Sequence, residues 1–117
     1  MYRLSILLFA VAALAGVTMA AMHFRGKTPP RPMLAVLHGL FAASGLVVLL
    51  LAVLKAGFGG APGIALGLFV AAALGGFVLL SFHLKGRALP SGLVVGHGLL
   101  AVAGFVTLVA AEFVIHG

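Results

Sequence analysis

The sequence predicts an all-α membrane protein, a four-transmembrane-helix bundle made of two parallel-repeated helical hairpins. Three observations carry that expectation. Of its 117 residues 64% are hydrophobic and 7% charged, whereas a soluble domain carries about a quarter charged residues to cover its core. Four apolar runs lie at about 4–23, 33–54, 62–82 and 91–114, each near the ~20 residues needed to cross ~30 Å of hydrocarbon at a rise of ~1.5 Å per residue. The second half of the chain also repeats the first. The runs leave almost nothing for a separate soluble domain, so residues 1–117 read as a single transmembrane domain, with repeat 1 at about 4–54 and repeat 2 at about 62–114.

The first run begins Met-Tyr-Arg and reaches small residues around Ala20, which is also how a secretory signal begins and ends. Its length, and its match to a later segment that is no signal, favour a retained span. Pro30 and Pro32 precede the second run and Pro90 precedes the fourth, where proline closes one helix and opens the next. The third run starts just beyond the short 55–61 turn.

The net charge of +6 is spread in a way that argues against a nucleic-acid partner. Arg25, Lys27 and Arg31 separate runs one and two, and Lys85 and Arg87 separate runs three and four; Arg3 and Lys55 lie on the other side. Basic loops of this kind stay in the cytoplasm. The expectation is a multi-pass protein of the bacterial inner membrane with both termini periplasmic, whose first partner is the lipid bilayer. With no cysteine, disulfides and thiolate metal sites are excluded.

The repeat is legible residue by residue. At a shift of 60, Ala12, Ala13, Leu14, Gly16, His23 and Gly26 meet Ala72, Ala73, Leu74, Gly76, His83 and Gly86. At a shift of 59, His38, Gly39, Leu40, Ala42 and Gly45 meet His97, Gly98, Leu99, Ala101 and Gly104. Apolar helices resemble one another in Ala and Leu, but not in paired histidines. Two helices return the chain to its starting side, so the hairpins should insert in parallel about a rough two-fold axis along the membrane normal and pack as a compact bundle.

Ionisable residues inside a span are rare and mark function. Four of the five histidines form two symmetric pairs, His23 with His83 near the ends of runs one and three, and His38 with His97 about two turns inside runs two and four. From His38, Ala42 and Gly45 follow at i+4 and i+7; from His97, Ala101 and Gly104 do. Residues so spaced share a helix face, so each histidine looks along a strip of little bulk. Gly16 and Gly76 stand seven residues before His23 and His83. Small strips also serve close helix approach, and Gly92 to Gly96 is a GxxxG. Packing alone needs no imidazole, and a buried one needs a partner. A flat macrocycle between helices, with histidine on its iron, uses both features.

This arrangement resembles the small membrane-anchored b-type cytochromes, in which histidines on facing transmembrane helices hold haem. The resemblance lies in the four-helix plan and the histidine positions, with no family-specific string of residues. It implies haem b, one or two per chain, and electron transfer with quinone, with partner redox subunits or within a homo-oligomer. Carried over, it makes His38 and His97 the axial pair of one haem, with Gly45 and Gly104 walling its slot. His23 and His83 would ligate a second haem or contact propionates, and Arg25 and Arg87, with Lys85 and Lys27, would pair with those propionates.

Two other readings stay open. The four histidines suit copper or zinc, with Met19, Met22 and Met33 close to their layer, although the chain is poor in anionic ligands. Alternatively the protein is a structural accessory subunit whose histidines bond between helices. His116 stands four residues after Glu112, the only carboxylate, and a hydrogen bond near a helix end is expected there rather than a metal site. The few Ser and Thr residues have no His–carboxylate pairing, so catalysis by this chain alone is not expected.

Overall fold

The computed structural model describes residues 1–26 and 32–116, the last two of these by backbone alone. Four helices follow one another: α1 (Tyr2–Phe24), α2 (Pro32–Ala56), α3 (Ala61–Leu84) and α4 (Ser91–His116). No strand occurs among the described residues. All four are long and apolar enough to cross a membrane, and each contains one of the apolar runs. At ~1.5 Å per residue they reach somewhat beyond the hydrocarbon thickness, a mismatch that tilt accommodates.

The helix ends follow from local chemistry. Gly26 and Gly86 both adopt φ +66°, the left-handed conformation in which glycine closes a helix without steric penalty. Gly86 N–H donates to the His83 carbonyl at 3.1 Å, and Arg87 N–H reaches back to Phe82 at 2.9 Å, the paired bonds of a Schellman cap. Gly26 N–H donates likewise to His23 at 3.2 Å. Proline stands at the first residue of α2, in the first turn of α3 and just before α4, where its missing N–H leaves no helical bond unmade.

The chain divides into two compact units, Met1–Lys55 and Ala56–Gly117, each a helical hairpin. In the first, His38 lies by Gly16 and Gly45 by the ring of Phe9. In the second, His97 lies by Gly76 and Gly104 by the ring of Phe69. Contacts that run backward on one helix as they run forward on the other make both hairpins antiparallel, and their register is the same. Burial repeats as well. Phe9, Ala12, Gly45, Leu49 and Ala52 are buried in the first hairpin, as are their counterparts Phe69, Ala72, Gly104, Leu108 and Ala111 in the second.

Outward from these stripes the helices are uniformly apolar, with Leu7, Leu14 and Val17 exposed on α1 and Leu74 and Phe77 on α3. Such faces are stable against lipid and would be unstable against water. Hydroxyls turn back onto their own helices: Ser5 Oγ donates to Tyr2 at 2.8 Å, Thr18 to Leu14 at 2.8 Å, Ser81 to Val78 at 2.6 Å and Thr107 to Ala103 at 2.7 Å. These four hydroxyls thereby keep a partner where a span offers them no water. Arg25, Lys85 and Arg87 are exposed at the hairpin bends; Lys27, Pro30 and Arg31 lie outside the described residues.

Candidate histidine site

His38 is the seventh residue of α2 and His97 the seventh of α4, so both sit well inside a span and are half-buried. Each is held by the neighbouring helix of its own hairpin. His38 Nδ1 donates to the backbone carbonyl of Ala12 at 2.7 Å, and His97 Nδ1 donates to that of Ala72 at 2.6 Å. A carbonyl oxygen only accepts, so Nδ1 carries a proton, and the tautomer of the neutral imidazole that fits this bond has its lone pair on Nε2.

The receiving carbonyls are reachable because of what lies one turn on. In an α-helix the Ala12 oxygen already accepts from the N–H of residue 16, and the residue 16 side chain leans back over that turn. Residue 16 is glycine. A Cβ there would lie 2.9 Å from His38 Cε1 and 3.1 Å from its Nδ1. At Gly76 the corresponding distances to His97 are 3.1 and 3.5 Å. The bare turn receives the imidazole, and the repeat preserves all three parts: alanine carbonyl, glycine and histidine.

The small strip that follows each histidine is occupied inside its hairpin. A Cβ on Gly45 would meet Cδ1 and Cε1 of Phe9 at 3.0 Å, and one on Gly104 would meet Cδ2 and Cε2 of Phe69 at 3.2 Å. At these two glycines the missing side chain lets a phenyl ring pack against the opposite backbone. Gly39, Gly96 and Gly98 differ, for a Cβ at any of them would meet nothing within 4 Å.

His23 and His83 are the last but one residues of α1 and α3. Both are half-buried, and their carbonyls receive the capping glycine N–H. Imidazole at this position faces the negative end of the helix dipole. The His23 ring also meets Phe24 edge-on, with centroids 5.0 Å apart. Arg25 and Lys85 are the cap residues immediately beyond, exposed like Arg87. The side chain of His116 lies outside the described residues.

Within each hairpin the structure thus joins a histidine to an alanine carbonyl and a glycine. Ala12 and Ala72 are participants that sequence reasoning missed. Their signal was present in the repeat, where Ala12 and Gly16 recur together as Ala72 and Gly76, but a carbonyl leaves no mark of its own in a sequence.

Fold and site define a class: a multi-pass helical membrane protein of two duplicated hairpins, each holding one intramembrane histidine on a backbone carbonyl. A comparison of the chain with protein-family models, with curated proteins and with solved structures finds no match.

Proposed function

We propose that this chain is a b-type haem-binding membrane protein for electron transfer, working as a subunit of a larger membrane redox complex or in exchange with quinone. The observation that supports this is the duplicated bond from Nδ1–H of His38 and His97 to a helix carbonyl. Histidines that ligate metals characteristically give their other N–H to a carbonyl or carboxylate, which sets the tautomer and raises the basicity of the ligating nitrogen. His38 and His97 have that donor set, with Nε2 as the ligating atom.

Haem, when bound, would supply a one-electron carrier whose porphyrin provides most of the iron's ligands, so that few are asked of the protein. That requirement suits a chain with few donors. Among the described residues, neither hairpin by itself gathers three or more His, Asp or Glu side chains, and a bare zinc or copper ion asks for about three or four protein ligands. In this reading His38 and His97 would hold the haem iron. Arg25 and Arg87, exposed where the helices end, pair with propionates, and His23 and His83 take the same outer role or hold a second haem. The excess of basic residues at the bends supports an orientation with those bends in the cytoplasm and both termini in the periplasm of a bacterial inner membrane.

The test is the visible spectrum of the protein purified from haem-replete cells, with haem content per folded protein in His38→Ala and His97→Ala. A Soret band with sharp α and β bands on reduction, lost or strongly weakened in both variants, is the expected result. Stoichiometric copper or zinc without those bands would replace haem with a metal site. Full haem retention in both variants would end the axial assignment. Neither pigment nor metal would leave the histidines as bonds between helices.

A further inference from the structure

We propose that Gly16 and Gly76 are positioning residues that fix the tautomer of His38 and His97. Each glycine uncovers the helix carbonyl four residues before it, that of Ala12 or Ala72, and this carbonyl takes the Nδ1 proton so that the lone pair is on Nε2. Among the described glycines, only these two would bring a Cβ within 3.5 Å of a histidine ring atom. A Cβ at Gly16 would approach Cε1 of His38 to 2.9 Å, and one at Gly76 would approach Cε1 of His97 to 3.1 Å, so a methyl at either position makes the imidazole shift from its seat over the turn. Gly39 and Gly98 directly follow the same histidines, yet a Cβ on either meets nothing. They are internal controls of equal helix propensity.

The two hairpins carry the arrangement independently, with 2.7 and 2.6 Å bonds to the carbonyls. In hydrocarbon the carbonyl has no water to turn to, so its second lone pair is satisfied by the imidazole or not at all. An imidazole donating in this way is a stronger ligand at Nε2. It therefore favours the more oxidised, more positive state of an iron bound there. This consequence for the iron rests on the haem reading above; the tautomer does not.

The experiment is nitrogen NMR of the full chain in lipid nanodiscs, labelled with ¹⁵N-histidine, prepared without haem and assigned with His38→Gln and His97→Gln. The expected spectrum has Nδ1 protonated and Nε2 bare for both residues. Gly16→Ala should lose the single tautomer at His38 and spare His97, Gly76→Ala should do the reverse, and Gly39→Ala and Gly98→Ala should change neither. Mixed tautomers in the unaltered protein would overturn the proposal without reference to any variant. So would a Gly16→Ala spectrum indistinguishable from that of Gly39→Ala.

A second arm adds haem and measures the reduction potential, expected to rise in Gly16→Ala and Gly76→Ala and to stay in place in the two controls. An unchanged potential in haem-loaded Gly16→Ala and Gly76→Ala would overturn the role of the glycines at the iron. Fixed tautomers in a protein that takes up no haem would uphold the glycine assignment and remove the haem reading. Haem uptake by a protein with mixed tautomers would do the opposite.

Discussion

At the scale of single residues, four glycines serve two different neighbours. Gly16 and Gly76 seat imidazoles; Gly45 and Gly104 seat phenyl rings. The second pair yields a packing prediction. Gly45→Leu pushes a branched side chain into the Phe9 ring, an overpacking that costs about 1–3 kcal/mol. Denaturation of the detergent-solubilised protein should register that loss, and Phe9→Ala in the same chain should recover part of it, as coupled neighbours do. Full additivity of the two changes would mean that ring and glycine do not share this space. The histidines divide by depth in the same way. His38 and His97 lie two turns inside their helices, whereas His23 and His83 are at helix ends. Haem content should therefore fall much less in His23→Ala and His83→Ala than in His38→Ala and His97→Ala. An equal loss in all four would assign the end histidines to ligation too.

At the scale of elements, the hairpin is the working unit, and its bend is set by a glycine cap. Gly26 and Gly86 have φ +66°, and an L side chain in that conformation costs roughly 1 kcal/mol. Gly86→Ala should lower stability by about that amount and quicken hydrogen exchange at the amides of residues 86 and 87, which make the capping bonds. Unchanged exchange there would mean that the cap does not hold the end of α3. The cap also explains why histidine, a basic residue and glycine recur together in both repeats. Glycine closes the helix, and the charges beside it complement the negative end of the dipole.

At the scale of the whole molecule, the prediction is topological. With Arg25, Lys85 and Arg87 exposed at the bends, a reporter active only outside the cytoplasm should work when fused after Gly117. One active only inside should work when placed in the 85–90 bend. The opposite pattern would reverse the orientation. Duplication adds a second expectation, because the two hairpins share one register. Gly16→Ala and Gly76→Ala should lower stability by similar amounts, within the ~0.6 to ~1.7 kcal/mol measured for hydrogen bonds between membrane helices, with a steric term added. A large asymmetry between them would show that the two histidines no longer do equivalent work.

Much of the fold was legible because lipid imposes a simple rule: a span must be apolar for its whole length and must satisfy its own backbone. Composition and run length thus determined the four helices, proline and glycine marked where they end, and the histidine-bearing repeat determined that the hairpins are alike. Which glycine serves which neighbour was decided only by tertiary structure. Read along one helix, Gly45 belongs to the strip of His38 and Gly16 to that of His23, because helical spacing relates residues of the same helix. In the folded hairpin Gly16 receives His38 and Gly45 receives Phe9, each from the opposite helix. The register that pairs them depends on side chains interlocking across the hairpin, and the decisive acceptor, a carbonyl laid bare by an absent side chain, is a backbone atom that every residue has. Sequence names the residue that is missing a side chain; only packing shows what comes to fill its place.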